Sequence, residues 1–299
     1  MDHKQIVAGL GEGERRALTR LSDGPGLVHL ALHLGAILLG AALILHGWWW
    51  VMPLQGVLIV FLFTLLHETV HQTPFASRWL NVWVGRLCGV LLALPPEWFR
   101  HFHLAHHRFT NDPERDPELT EPKPATWRGY LAYLSGLPTW AGHVRTLFRN
   151  ARGLCNDSFV PARALPRVRR EARVFLALYA LVAIAVVMGA HWIVQVWLLS
   201  ALLGQPVLRL YLLAEHGRCP PVANMLENTR TTFTTWAVRK LAWNMPYHAE
   251  HHAYPTVPFH QLPAFHTHTR PHLKVVERGY HRFHRRVIRA LAVGEGKPL

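Results

Sequence analysis

The chain has 299 residues, a formal net charge of +14 at pH 7 and a hydrophobic content of 50%, which fits one large domain or two small ones. Its three cysteines, Cys88, Cys155 and Cys219, follow no spacing pattern, so neither a disulfide framework nor a cysteine-ligated cluster organises the chain. No nucleic-acid-binding fold accompanies the positive charge, and we expect no nucleic-acid partner.

The hydrophobic residues are concentrated in two long stretches that follow an N-terminal segment, residues 1–26. Lys and Arg are absent between Arg20 and Arg78 and again between Arg173 and Arg209. Each stretch is long enough for two membrane spans of about 20 residues. The sequence therefore predicts four transmembrane helices in two hairpins, at about 27–46, 48–66, 174–190 and 192–213. Buried helices of a soluble α-protein are the alternative, but these seldom stay apolar on all sides for such a length.

The distribution of positive charge predicts the orientation in the membrane. All 32 basic residues lie before the first hairpin, between residues 78 and 173, or from residue 209 onward. The positive-inside rule places these parts, and both termini, in the cytoplasm. The apolar segment 79–96 is interrupted by Arg86, so we expect an interfacial helix there and no fifth span. We find no convincing strand pattern.

Eight of the 22 histidines fall in three short motifs, and each motif suits a metal site. The motifs are "HETVH" with His67 and His71, "HLAHH" with His103, His106 and His107, and "HAEHH" with His248, His251 and His252. On a helix that advances about 100° per residue, histidines three or four positions apart share one face. Neutral imidazole is a ready ligand for iron, zinc or copper. The two hairpins return all three motifs to one side of the membrane, where they can converge.

The number of imidazoles indicates two metal ions. A zinc site closes at four ligands, and eight imidazoles exceed what one metal can bind. "HETVH" alone also matches the HExxH motif of zinc proteases, with Glu68 as the general base. That alternative leaves the other six histidines without a role. A membrane protein that stores or transfers a metal or haem is a non-enzymatic alternative.

The segment 108–128 is rich in proline and acidic residues and is predicted to be an ordered loop. Within it, Asp112 and Asp116 could each hold a ligand imidazole through the second ring nitrogen, as carboxylates often do at metal sites. The alternative for both residues is a turn in an Asp-Pro-rich loop.

The three motifs in this order resemble the histidine boxes HxxxH, HxxHH and HxxHH of the membrane fatty acid desaturase superfamily. The sequences "HHRFTNDPERDPE" and "NMPYHAEHHAYPTVPFHQLP" also resemble bacterial members. The resemblance implies an all-α integral membrane fold, with four transmembrane helices under a cytoplasmic helical cap that holds two irons. It predicts a desaturase-like membrane domain at 27–270, a basic cytoplasmic tail at 271–299, and a location in the bacterial inner membrane.

The resemblance also implies roles for individual residues. It makes the eight box histidines catalytic iron ligands. A ninth ligand is common in the family, and His216 in "YLLAEHG" is the candidate; its alternative is a histidine that ends a membrane helix and faces head groups. Asn244 resembles a family asparagine that contacts the site through water, and its alternative is a turn or cap residue.

The chemistry that follows from the resemblance uses O₂ as co-substrate at a diiron centre. Removal of two hydrogens from adjacent methylenes of a fatty acyl chain gives a double bond, whereas oxygen rebound gives a hydroxyl group or a ketone. The prediction is a lipid desaturase, with a hydroxylase or ketolase of a lipid, carotenoid or alkane as the alternative. The chain carries no GxGxxG or HPGG-like segment. We therefore expect a separate ferredoxin, rubredoxin or cytochrome b5-type donor, besides the lipid or acyl substrate from the bilayer.

Overall fold

The computed structural model describes residues 1–120 and 123–293, and within these residues the chain is mainly helical. The helices are α1 (His3–Gly9), α2 (Glu12–Leu18), α3 (Asp23–Leu45), α4 (Met52–His71), α5 (Arg78–Leu92), α6 (Pro96–Phe109), α7 (Trp127–Ser135), α8 (Leu137–Ala151), α9 (Leu165–Val187), α10 (Ser200–His216), α11 (Met225–Asn228), α12 (Trp236–Leu241), α13 (His248–Ala253), α14 (Leu262–Thr269) and α15 (Tyr280–Ala292). A π-helical segment, Val194–Leu199, leads directly into α10.

Three helical segments of the described residues are long and apolar enough to cross a membrane. They are Glu12–Leu45, Trp49–His71 and Val194–His216, and they contain the first, second and fourth predicted spans. Helices α5 and α6 meet at a bend of 96° and make a fourth candidate if they are counted as one broken span. Helix α9 does not qualify, because its first half carries charged residues up to Arg173. The predicted span at about 174–190 therefore stays a prediction.

Helices α4 and α10 lie side by side and in the same direction, with their backbones in contact at Gly56 and Gly204. A Cβ atom on Gly56 would collide with the carbonyl of Ser200, and one on Gly204 would collide with the backbone of Gly56. Small residues permit such close approach between membrane helices. The two helices end at His71 and His216, so this contact brings their C-terminal histidines to the same end of the fold.

Two histidines of α3 join the first span to the segment that precedes α13. His33 Nδ1 accepts a hydrogen bond from Trp243 Nε1 at 3.2 Å, and its Nε2 donates to the Leu58 carbonyl at 2.8 Å. His29 Nε2 donates to the carbonyl of Lys240 at 2.6 Å. These imidazoles therefore satisfy backbone and indole groups, as buried polar side chains in membrane helices usually do.

Two short strands correct the expectation of a fold without strands. Strand β1 (Thr231–Phe233) pairs in parallel with β2 (Val276–Arg278). Each strand has three residues, which is too short for an alternating pattern to show in the sequence. Within the described part of the predicted basic tail, Phe283 and Val287 of α15 pack against Tyr130 and Leu213.

Candidate metal centre

The nine histidines predicted as metal ligands converge where α4, α6, α10 and α13 meet. The first cluster consists of His67, His71, His103, His107 and His251, whose ligand atoms all lie within 4.8 Å of one another. The second cluster contains His106, His216 and His252 within the same limit. His248 joins the second cluster, because its Nε2 lies 3.0 Å from His216 Nε2.

The spacing within the motifs explains how two clusters form side by side. Consecutive residues on a helix lie about 100° apart, whereas residues four positions apart lie only about 40° apart. On α6, His103 and His107 therefore face the first cluster while His106 faces the second. On α13, His251 faces the first cluster and its neighbour His252 faces the second. Each adjacent histidine pair thus supplies one imidazole to each cluster.

The distances between ring nitrogens fit a shared metal ion. Nε2 of His103 lies 2.9 Å from Nε2 of His71, and Nε2 of His251 lies 3.2 Å from Nε2 of His107. Two nitrogens bound at about 2.1 Å to one metal, at right angles to each other, lie about 3 Å apart. His67 is only 4% exposed, yet neither of its ring nitrogens has a hydrogen-bond partner among the described residues. An unpaired buried nitrogen is costly, and a metal ion would satisfy it.

Burial keeps His251 and His252 in the form that binds metals. It lowers the pKa of His251 and of His252 well below the usual range, because desolvation disfavours the imidazolium form. Both rings are therefore neutral at pH 7, with a nitrogen lone pair free for a metal.

Three carboxylates face the Nδ1 atoms of cluster histidines. The pairs are Asp116 Oδ1 with His106 at 2.9 Å, Glu68 Oε1 with His251 at 3.4 Å, and Glu215 Oε1 with His248 at 3.5 Å. A carboxylate at Nδ1 holds the proton there and turns Nε2 toward the metal position. The sequence predicted this arrangement for Asp116, whereas the roles of Glu68 and Glu215 were missed.

Two further predicted residues lie outside the clusters. Both carboxylate oxygens of Asp112 accept hydrogen bonds from nearby residues, and Oδ2 accepts from Arg115 Nε at 2.8 Å. These contacts are those of a turn residue, which was the alternative for Asp112. Asn244 has a φ of 58° and donates from Nδ2 to the Phe259 carbonyl at 3.0 Å. Among the described residues Asn244 contacts no cluster histidine, and its link to the site runs through Phe259, whose N–H donates to Glu68 at 3.1 Å.

The surroundings of Glu68 do not suit a general base of a zinc protease. Its side chain is fully buried, and Oε2 accepts hydrogen bonds from Thr73 and from the Phe259 N–H, each at 3.1 Å. A general base in that role must reach a water in the open coordination position of the metal. Glu68 instead faces Nδ1 of His251, which is the ring nitrogen turned away from the cluster.

Glu250 is a second buried acid to which the sequence pattern assigned no role. It lies between two metal-facing positions of α13, is fully buried, and accepts hydrogen bonds from Thr231 at 2.5 Å and Thr269 at 3.3 Å. His266 Nδ1 donates to the same carboxylate. The contacts of Glu250 therefore fix α13 to β1 and α14. An acid among the histidines of "HAEHH" was the only signal of this role in the sequence.

Comparisons with known proteins agree with this centre. A family model described as fatty acid desaturase matches residues 46–286. The sn-1 oleoyl-lipid 12-desaturase of Picosynechococcus sp. is 28% identical over 114 residues, which is 35% of this chain and 33% of the relative. The sphingolipid delta(4)-desaturase/C4-monooxygenase of Mus musculus is 23% identical over 218 residues, 72% of this chain and 63% of the relative. The sn-1 acyl-lipid omega-3 desaturase (ferredoxin) of Synechocystis sp. is 27% identical over 139 residues, 46% of this chain and 39% of the relative. The chain thus matches less than two thirds of the length of each of these three relatives.

Proposed function

The chain belongs to the fatty acid desaturase family, and from this premise we propose that it is an O₂-dependent lipid desaturase with two irons. The family identified from the three motifs is confirmed, and the chain is an integral membrane oxidoreductase. The proposed reaction removes two hydrogens from adjacent methylenes of a fatty acyl chain, while O₂, two electrons and two protons are consumed and two water molecules form. The observation that carries the proposal is the pair of adjacent buried histidine clusters.

Each of the two histidine clusters would bind one iron. The first iron would be held by His67, His71, His103, His107 and His251, and the second by His106, His216, His248 and His252. When bound, the irons would supply the O₂ activation needed to attack an unactivated methylene. The chain itself supplies neutral imidazoles, holds protons at Nδ1 through its carboxylates, and excludes water by burying the ligands. Asp116 is the proposed positioning residue for His106, and Asn244 is proposed to act only through Phe259.

Hydroxylation is the second candidate outcome for the same site. The name of the Mus musculus relative combines a desaturase with a C4-monooxygenase, so both outcomes are attributed to that protein. A ketolase would differ only in repeating the oxygen insertion. Desaturation is favoured because the names of the two cyanobacterial relatives specify desaturases alone.

The partners and location are also proposals. A separate donor would supply the electrons, and we favour a ferredoxin because the Synechocystis relative carries that donor in its name. The absence of Lys and Arg from both hairpin stretches supports a cytoplasmic side for the centre and the termini. A bacterial inner membrane is proposed from the resemblance of the motif sequences to bacterial family members. The same charge distribution supports a third span at about 174–190, which begins after the charged first half of α9.

Lipid and fatty-acid profiling of a host that expresses the protein tests this function. The wild type is compared with His251→Ala and with His281→Ala, a control at an exposed histidine of α15. We expect a new unsaturated acyl chain with the wild type and with His281→Ala, and none with His251→Ala. A new hydroxylated or keto lipid would favour the second candidate.

Metal content completes the test. We expect two irons per chain in the purified wild type and in His281→Ala, and a lower iron content in His251→Ala. An unchanged lipid profile together with a single zinc per chain would overturn the desaturase and return "HETVH" to the protease hypothesis.

A further inference from the structure

Helices α5, α6 and α9 together line a cavity. Its volume is ≈ 290 Å³, and its lining includes Trp83, Arg86, Arg167, Arg170, Glu171 and Val174. A smaller cavity of ≈ 70 Å³ shares Arg86, Glu97 and Glu171 with it and extends to Arg100 and Gln72. These two neighbouring cavities are here together called the arginine cavity.

The arginine cavity has an excess of positive charge. Four arginines and two glutamates line it, counted over both of its parts. Glu171 lies 3.4 Å from Arg86 Nε and accepts the backbone N–H of Glu97 at 2.7 Å. Glu97 in turn accepts from Arg167 Nε at 2.6 Å. The two acids are therefore already paired within the cavity wall, and the excess charge remains for a ligand.

Arg100 is the arginine whose surroundings most clearly require an anion. Its Nη1 atom is buried and meets no hydrogen-bond acceptor among residues 1–120 and 123–293. A buried charged donor without an acceptor carries a desolvation cost that a hydrogen bond to an anion would offset. Arg170 lines the larger part of the cavity, is exposed, and forms no ion pair with a described residue. Arg100 therefore offers a buried donor in the smaller part of the cavity, and Arg170 offers an exposed guanidinium in the larger part.

The other wall of the cavity is apolar and continuous with the lipid-facing surface. Trp83 is 62% exposed and Val174 is 51% exposed, although both are large apolar side chains. Exposed tryptophans are typical of the boundary between hydrocarbon and head groups. The guanidinium of Arg86 lies 4.9 Å from the centre of the Trp83 ring, so the cationic and apolar walls meet at this point. The cavity thus has a cationic wall and an apolar wall, which suits the boundary between lipid head groups and hydrocarbon chains.

We propose that the arginine cavity binds the phosphate of an anionic phospholipid, with the lipid chains descending along Trp83 and Val174. Basic pockets between membrane helices bind anionic head groups through such phosphate contacts. Free phosphate would satisfy the arginines but would leave the apolar wall unused. An acidic protein would meet the exposed arginines but would not enter the cavity to reach Arg100. This proposal concerns binding alone and does not depend on the proposed desaturation.

Lipid titration of the purified full chain in a neutral detergent tests the proposal. The probes are phosphatidylglycerol, phosphatidylcholine and inorganic phosphate, and the readouts are Kd and Tm. For the wild type we expect phosphatidylglycerol alone to saturate and to raise Tm by about 3–5 °C. Arg100→Gln and Arg170→Gln should each weaken phosphatidylglycerol binding about tenfold. Arg145→Gln, at an exposed position of α8 outside the cavity, should bind as the wild type does.

Several outcomes would overturn the proposal. Binding of phosphatidylcholine as tight as that of phosphatidylglycerol would show that the cavity does not distinguish lipids by the charge of the head group. Equal stabilisation by inorganic phosphate would assign the cavity to a free anion. A loss of affinity in Arg145→Gln as large as in the cavity variants would indicate general surface electrostatics. Because Arg170 is exposed, its variant tests the cavity even if Arg100→Gln fails to fold.

Discussion

Oε1 of Glu68 lies 3.4 Å from Nδ1 of His251, so an acid of the first histidine motif faces a predicted ligand of the third. Both side chains are fully buried. The same carboxylate accepts the backbone N–H of Phe259, which anchors the chain just after the third motif. Glu68 therefore connects α4 to α13 and to the loop beyond it, at the level of the first cluster.

Replacement of Glu68 by glutamine tests this orienting role. The Glu68→Gln side chain has the same shape, but its amide can turn an N–H donor toward the Nδ1 atom of His251, where Glu68 places Oε1. Loss of such a partner typically reduces metal affinity or activity about 10–100-fold. We expect a loss of iron retention of this size in a chelator competition followed by metal analysis, with Tm little changed.

Glu114→Gln provides the control for this change, because Glu114 is exposed in the loop after α6. It should retain iron as the wild type does. Iron retention in Glu68→Gln equal to that of this control would show that the carboxylate does not position His251.

The two aspartates of the loop after α6 give a matched pair of variants. Asp116 is 3% exposed and contacts His106 Nδ1 at 2.9 Å, whereas Asp112 pairs with the exposed Arg115. Asp116→Asn should lower iron occupancy of the second cluster, with affinity reduced about 10–100-fold. Asp112→Asn should leave it unchanged, because the hydrogen bonds of Asp112 are to Arg115 and the Glu114 backbone and not to a cluster histidine. Iron per chain measured on both variants checks the prediction, and equal losses in the two would refute it.

These contacts show which parts of the centre the sequence could predict. Ligand positions follow from helical spacing, because His103 and His107 share a face wherever α6 lies. His216 has no spacing partner, and only the resemblance to a family singled it out. The pairing of Glu68 with His251 joins residues far apart in the chain, so it depends on how α4 and α13 pack. Asp112 and Asp116 share one loop and similar neighbours, and only the folded loop decides which one meets His106.

The fold also contains features that the sequence predicts and features that only packing determines. Runs without Lys and Arg indicated the spans that end at His71 and His216. Charged residues are unfavourable in the bilayer, so their absence from a long segment can be read from the sequence. The strand pair β1–β2 was missed, because pairing of two three-residue segments depends on where the chain returns. The first half of α9 is charged and its second half is apolar. The depth of α9 in the membrane therefore depends on its packing against other helices as well as on its composition.

The contact between Gly56 and Gly204 predicts a strong effect of one methyl group. Gly56→Ala would place a Cβ atom against the carbonyl of Ser200, so α4 and α10 would have to separate. Overpacking of this kind costs about 1–3 kcal/mol. Because both helices carry cluster ligands, we expect a lower Tm together with a lower iron content.

Gly35→Ala is the matched control for this helix contact. Gly35 lies on α3, where an added Cβ atom would meet no atom within 4 Å, and alanine favours a helix over glycine by about 1 kcal/mol. Its Tm should equal or exceed that of the wild type. A Tm for Gly56→Ala as high as that of Gly35→Ala would mean that the two helices are not in backbone contact.

Replacement of Glu250 should lower the stability of the fold and leave iron retention unchanged, which is the reverse of the effect expected for Glu68. Its carboxylate is fully buried and is bound by Thr231, Thr269 and His266, whereas no cluster histidine contacts it among the described residues. Glu250→Ala removes the common acceptor of three groups, and breaking such a buried polar set costs about 3–5 kcal/mol. His266→Ala leaves the carboxylate its two threonine donors, so its cost should be smaller, about 1–3 kcal/mol.

Thermal unfolding and metal analysis on the same samples separate the two glutamates. For Glu250→Ala we expect a clear fall in Tm, with iron per folded chain close to that of the wild type. For Glu68→Gln we expect iron loss with Tm nearly unchanged. If Glu250→Ala instead lost iron at an unchanged Tm, the carboxylate would act on the metal site, and its contacts to β1 and α14 would not be its main role.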